Sequence, residues 1–198
     1  LPRPRAGFVG DIDAETFDPP LFVEVVRRLP EVHFLLVGAC SLPEGWCPFP
    51  NVTMLGKRPY EAVAALMASC DVLLMPWNRS EWIRACNPIK LKEYLAVGRP
   101  IVTTPFDELR HYHGLVRIAE GPEQFADAIR AALAGDHDPA PGRVRVARET
   151  WTAKAALVEE TLRSRGVSLA ARPGRAPGGP RDQSGPGTSR GTGAAVAR

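Results

Sequence analysis

The sequence predicts an α/β fold, a Rossmann-like parallel sheet of five or six strands flanked by helices. Three observations carry that prediction. Short apolar runs ending in glycine or proline alternate five or six times with longer segments of helical periodicity. The connections between them are short, as parallel strand–helix–strand units require. The run at 32–37 (Val-His-Phe-Leu-Leu-Val) is almost continuously apolar, which suits a strand covered on both faces.

The elements follow in order. Residues 7–10 (Gly-Phe-Val-Gly) form a strand that stops at glycine. Asp18-Pro19-Pro20 opens a helix reaching Leu29, with Leu21, Phe22, Val25, Val26 and Leu29 at helical spacing. The second strand, 32–37, ends at Gly38 and gives way to a loop rich in Pro and Gly. Residues 51–56 read as a third strand, 60–69 as a helix, and 71–75 as a fourth strand ending at Pro76-Trp77. After a helix from Pro88 to Gly98 come a strand at 100–103, a short strand at 115–118 and a helix at 122–133. A last amphipathic helix is expected over 143–163, with Val144, Ala147, Trp151, Ala155 and Val158 among its apolar positions. In such sheets ligands bind beyond the carboxyl ends of the strands, where the winding reverses. The loops after Val9, Val37, Leu55, Met75 and Thr103 are therefore the informative ones.

Composition narrows the function. The chain of 198 residues carries a formal charge of +3, but five arginines stand against Asp182 alone beyond residue 165. Residues 1–165 are slightly acidic, and without a general basic field nucleic acid is not an expected partner. Cys40, Cys47, Cys70 and Cys86 show no C-x-x-C pair, which fits reduced thiols of a cytoplasmic protein. No apolar run approaches the roughly 20 residues of a membrane span, and a signal-peptide core is absent from the start. The opening at Leu1 reads as the interior of a longer protein. Residues 1–165 are expected to form the domain. Residues 166–198, rich in Gly, Pro and Arg, are expected to be a disordered tail with at most peripheral contact to anionic lipid.

Residues 87–105 say most about function. First helical turns usually carry Asp or Glu, because the helix dipole is positive there. Here Arg84, Lys90 and Lys92 come first, and Glu93 arrives only afterwards. An anion among them, such as a phosphate on free backbone N–H groups, would offset that repulsion. Lys90 and Glu93 are three apart and share a helix face, so a plain surface ion pair is the competing explanation. A dinucleotide fingerprint fails, since Gly7-x-x-Gly10 lacks a third glycine and the second strand ends in Gly38-Ala39. A Walker phosphate loop is also absent.

The stretch Asn87-Pro88-x-Lys90-x-x-Glu93-Tyr94-Leu95-Ala96-x-Gly98-x-Pro100-Ile101-Val102 resembles the donor-binding signature of GT-B glycosyltransferases, specifically the family-4-like "glycosyl transferases group 1". Upstream, Asn51-Val52-x-x-Leu55-Gly56, Tyr60 and Ala68-x-x-Asp71-Val72-Leu73-Leu74-x-Pro76 keep the family's order and spacing. The resemblance covers about residues 6–165 and implies the C-terminal half of such an enzyme. It implies a nucleoside-diphosphate sugar as substrate, with Glu93 on the ribose; Lys90 and the backbone N–H groups near Pro88 would hold the phosphates, and Asn87 counts among the donor-nucleotide-binding residues. Lys57 and Arg58 would lie near the base, and Gly10 near the diphosphate or sugar. No cofactor or metal is expected, and a glycan or lipid-linked acceptor would be bound through an N-terminal half outside this chain. No catalytic residue is assigned.

Two departures stand out. The first glutamate of the family's Glu-x7-Glu pair would fall at Ala85, with Glu81 four residues too early. Asp11 and its neighbours replace the Arg and Lys often found after the first strand. Two readings stay open: a glycosyltransferase half, or a truncated or degenerate module that binds nucleotide without turnover. A GT-B-like epimerase of nucleotide sugars is a third. His111 and His113 are a metal pair or exposed side chains. Trp77 and Trp82 stack on a ligand or anchor their loop, and Asp107-Glu108 are expected to cap a turn.

Overall fold

The computed structural model describes residues 1–167. Its six strands are β1 Arg5–Val9, β2 His33–Val37, β3 Val52–Met54, β4 Val72–Met75, β5 Ile101–Thr103 and β6 Arg117–Ile118. The helices are α1 Pro19–Arg28, α2 Tyr60–Ala68, α3 Glu81–Ala85, α4 Ile89–Val97, α5 Gly121–Ala134, α6 Ala140–Ala147 and α7 Trp151–Ser164. The strands lie in the order β3-β2-β1-β4-β5-β6, every pair parallel. The chain winds outward from β1 to β3, then returns to start again at β4. The crevice between the ends of β1 and β4 is therefore the switch point. Compact packing divides the chain into Leu1–Ala155 and a second unit from Ala156 onward.

Strand β2 explains why both faces need cover. Phe34 and Leu36 enter one core with Phe8, Phe22 and Phe125, beneath α1 and α5. Leu35 and Val37 enter the other with Met75, Leu91 and Tyr94, beneath α2 and α4. Each such side chain contributes about 1.5–3 kcal/mol by leaving water. The alternation therefore fixes the register of the whole sheet. The ends of β1 and β2 approach very closely. A Cβ on Gly38 would stand 1.8 Å from the Gly10 carbonyl oxygen, so only glycine fits there.

Several boundaries differ from the sequence reading. The third strand shrinks to Val52–Met54, on the sheet edge with only β2 to pair. Pro88 is the residue before α4 rather than its first, because its extended backbone (ψ 127°) lies outside the helix. The helix expected over 143–163 is two helices. Glu149 is held by three cations, and the Thr150 hydroxyl accepts from Ala153 N (3.2 Å) to start α7 afresh. The five apolar positions named for that amphipathic helix are all exposed. Of the expected disordered tail, 168–198 lie outside the described residues.

Candidate functional site

At the switch point a cavity of about 500 Å³ opens on the carboxyl edge of the sheet. Gly10, Asp11, Asp13 and Thr16, from the loop after β1, form one wall. Cys86, Asn87, Pro88, Ile89 and Lys90, leading into α4, form the opposite wall. Trp77 and Trp82 close the remaining side.

Local chemistry explains why α4 presents a bare tip. Asp18 caps α1 and Ser80 caps α3, each accepting a backbone N–H of its first turn. No side chain caps α4, and its first turn holds no acidic residue. The free N–H groups of that turn thus form a positive, donor-rich wall. Tyr94 pins this helix to the sheet, its hydroxyl accepting from Val9 N at 2.8 Å. Full burial pushes the phenol pKa well above its usual range, so the group stays neutral and acts only through hydrogen bonds.

The loops around the cavity are tied together. The Asn78 amide donates to the carbonyls of Glu15 (2.7 Å) and Ala14 (3.3 Å), joining the loop after β4 to the loop after β1. Asp13 Oδ1 accepts from the backbone of Thr16 (2.7 Å) and Glu15 (2.9 Å). The Thr104 hydroxyl accepts from Trp77 N (3.1 Å) and donates to Trp77 O (2.8 Å). The Asp13 tie is a local turn, whereas those of Asn78 and Thr104 are not visible as motifs, since the sheet brings their partners together.

Of the six residues singled out in the sequence, Gly10, Asn87 and Lys90 meet at the cavity. Glu93 lies one turn along α4, its Oε2 2.9 Å from Lys90 Nζ and its Oε1 3.5 Å from the Tyr60 hydroxyl. The surface ion pair weighed in the sequence does form, with both side chains only 22% and 21% exposed. Lys57 and Arg58 are exposed on the loop after β3 and do not line the cavity.

Lys92 departs from the expectation that its charge awaits a ligand. Its Nζ donates to Asn87 Oδ1 at 2.5 Å and lies 3.7 Å from Glu149 Oε2. Glu149 is 57 positions away in the sequence, so the anion that relieves this cation could not be read locally.

The minor candidates divide. Trp77 packs against Phe106 with ring centroids 5.3 Å apart and anchors its loop, whereas Trp82 is 73% exposed at the cavity mouth. His111 and His113 are exposed on either side of the buried Tyr112. Asp107 and Glu108 lie inside the first turn of a 3-10 segment, Asp107–His111, with Phe106 before it and no side-chain capping bond. The expected cap is therefore absent.

The doubly wound parallel sheet is Rossmann-like, the architecture of each half of a GT-B glycosyltransferase, and the solved structures that it resembles share this fold. HepE of Anabaena, solved with UDP and glucose, superposes with a TM-score of 0.64 at 16% identity, over 81% of this chain and 48% of that one. Sucrose-phosphate synthase of Thermosynechococcus elongatus gives 0.67 at 21% identity, over 84% and 47%. AviGT4, involved in avilamycin A biosynthesis, gives 0.59 at 19% identity, over 84% and 53%. Residues 3–135 match the model of the family described as glycosyl transferases group 1, and the chain belongs to that family. A Bacillus subtilis (strain 168) protein, provisionally named teichuronic acid biosynthesis glycosyltransferase TuaH, is 33% identical over 104 residues. Those residues are 50% of this chain and 26% of that protein, so the chain spans about a quarter of its curated relative and about half of the solved structures.

Proposed function

We propose that this chain is the donor-binding half of a glycosyltransferase, which moves a sugar from a nucleoside-diphosphate sugar to an acceptor hydroxyl. The observation that carries the reading is the cavity at the switch point, with the uncapped tip of α4 and Lys90 on one wall. A diphosphate fits that wall because N–H donors and an ammonium meet its oxygens through charge-assisted hydrogen bonds. Glu93, beyond Lys90, is acceptor-only when ionised and suits the two hydroxyls of a ribose. Its contact with Lys90 holds both side chains in place before the donor arrives. The base then extends toward the loop that carries Lys57 and Arg58.

In the transfer step, the bond between the anomeric carbon and the diphosphate breaks and negative charge grows on the leaving oxygen. In this reading the α4 tip and Lys90, which share the cavity wall, meet that charge already aligned, and this is the main contribution of this half. The reading places the charge balance on these groups rather than on a metal. The acceptor, a glycan or lipid-linked sugar, belongs to a second half outside this chain. The likeness to a protein named for teichuronic acid biosynthesis supports synthesis of a polysaccharide or glycolipid. Among the described residues no helix is long and apolar enough to cross a membrane. That is compatible with a cytoplasmic enzyme making at most peripheral membrane contact.

A specific observation favours a second reading, a module that binds nucleotide without turnover. Ala85 stands where the family pattern places a glutamate, on the exposed side of α3. Titration calorimetry with UDP and GDP tests the first reading. Lys90→Ala and Glu93→Ala should each weaken the preferred nucleotide about tenfold or more, or ~1.4 kcal/mol. Unchanged affinity in both variants would defeat it. Incubation with a radiolabelled nucleotide sugar separates the two readings, because binding without transfer or hydrolysis supports the module.

A further inference from the structure

We propose that Lys92 and Glu149 are positioning residues for Asn87, turning its amide so that only N–H groups face the donor cavity. The proposal rests on the donor-binding reading and deepens it by giving the cavity wall a defined polarity.

Three observations carry it. Asn87 lines the cavity beside the bare tip of α4. Its Oδ1 accepts from Lys92 Nζ at 2.5 Å. An ammonium donates and never accepts, so this contact fixes which end of the amide turns toward Lys92. What Asn87 retains for the cavity is its pair of N–H donors, which suits an oxygen-rich anion and not a cation. Lys92 is in turn held from behind, 3.7 Å from Glu149 Oε2.

The pair is shielded much as Lys90 and Glu93 are, at 22% and 21% exposure, and unlike the solvent-exposed pairs. Lys92 and Glu149 are 17% and 12% exposed, against 64% and 61% for Arg79 and Glu120. Glu149 also accepts from Arg145 at 2.5 Å and Lys154 at 2.7 Å, which stops it from swinging away. Arg145 itself lies over the Tyr112 ring, 4.9 Å from its centre. Two independent anchors thus fix the carboxylate that fixes Lys92. A relay of charge runs from the turn between α6 and α7 to the donor cavity, through residues that never touch the ligand. A side chain held in place before binding loses less entropy when the ligand arrives.

A double-mutant cycle tests this, because a purely structural role for Lys92 would not depend on Asn87. UDP affinity is measured by calorimetry for the native chain, Lys92→Met, Asn87→Ala and the double variant. Each single variant should bind about fivefold more weakly, and the double variant should match Asn87→Ala to within about twofold. Lys92→Arg, which keeps the charge and the donors, should restore most of the affinity. Equal losses from Lys92→Met in both backgrounds, or no loss in the native one, overturn the proposal.

A second readout needs no nucleotide. The Asn87 side-chain amide signal is identified by its absence in Asn87→Ala. Its ¹⁵N–¹H pair should move in Lys92→Met and in Glu149→Gln, and an unmoved pair overturns the relay directly. Should the pair move while neither UDP nor GDP binds the native chain, the donor reading fails and takes with it the purpose assigned to those N–H groups.

Discussion

The two edges of the sheet carry cavities of similar size, about 420 and 560 Å³ at the amino edge and about 500 Å³ at the carboxyl edge. Their polar groups differ sharply. At the amino edge arginines are spent on the ends of helices. Arg99 donates to Ala68 O at 2.7 Å, Arg130 to Arg28 O at 2.7 Å, and Arg143 to Ala96 O and Val97 O at 3.2 and 2.9 Å. Each cation there meets carbonyls left over by a helix C-terminus, the favourable sense of the dipole. At the carboxyl edge the α4 tip has no cap, and Lys90 stands at the cavity wall with one carboxylate for company. Volume does not tell the two edges apart. The use made of the cations does: arginines meet helix carbonyls at the amino edge, whereas Lys90 stands at a helix start at the carboxyl edge, the feature on which the proposed donor site rests.

The largest effect expected from breaking this contrast comes from Gly38→Ala. Its added methyl group meets the Gly10 carbonyl at 1.8 Å, and backbone cannot step aside as a side chain can. Denaturant unfolding should show a loss of about 3 kcal/mol or more; a loss under about 1 kcal/mol would mean that the carboxyl ends of β1 and β2 are not held together as described.

Next comes Tyr94→Phe, which leaves the buried Val9 N–H without its 2.8 Å acceptor. Stability should fall by about 1–3 kcal/mol, the cost of an unsatisfied buried donor. UDP affinity should fall with it, because α4 is then less firmly set against β1.

Arg143→Ala sharpens the contrast from the opposite edge. Two hydrogen bonds to the end of α4 are lost from an exposed side chain, so stability should drop by about 1 kcal/mol. UDP affinity should stay within about twofold of native. A marked affinity loss would show that the two edges are not separate.

Acid sensitivity at Glu149 probes the wall behind Lys92. Hydrogen bonds from Lys154 and then Arg145 push its pKa down to about 2, from the usual 4.5. A depressed carboxylate pKa adds stability above the unfolded value and loses it as pH falls. Glu149 should therefore contribute in full above about pH 5 and fade toward pH 2. Thermal melts of native protein and Glu149→Gln should converge over that window. Curves that stay parallel down to pH 2.5 would show the three cations to be unimportant.

Much of the architecture was legible because it depends on local repetition. The apolar run at 32–37 demanded cover on both faces, and β2 indeed divides its side chains between two cores. Gly98, with φ 79°, ends α4 where the sequence placed the stop. The last helix was misread because a helical apolar period persists across 148–150, where the chain instead ends α6, pairs Glu149 with Lys92, Arg145 and Lys154, and starts α7 at the Thr150 cap. At the cavity, the sequence pointed to Gly10, Asn87 and Lys90 through an anomalous charge pattern and a family resemblance, and these three line it together. The contacts of Tyr94, Asn78 and Thr104 were not legible, since such a side chain carries no sign of which backbone group it will reach across the sheet.

The sequence by itself determined the alternation of strands and helices, the stops at glycine and proline, and the clustering of cations before Glu93. These follow from periodicity and backbone preference, which act over a few residues. Only the tertiary structure decided which cations remained at the cavity. Helix spacing turns Lys90 and Lys92 to different faces, but only the fold shows that Lys90 lines the cavity while Lys92 reaches Asn87 and has Glu149, 57 positions on, beside it. Coulomb attraction depends on distance through space, and the winding of the sheet sets that distance.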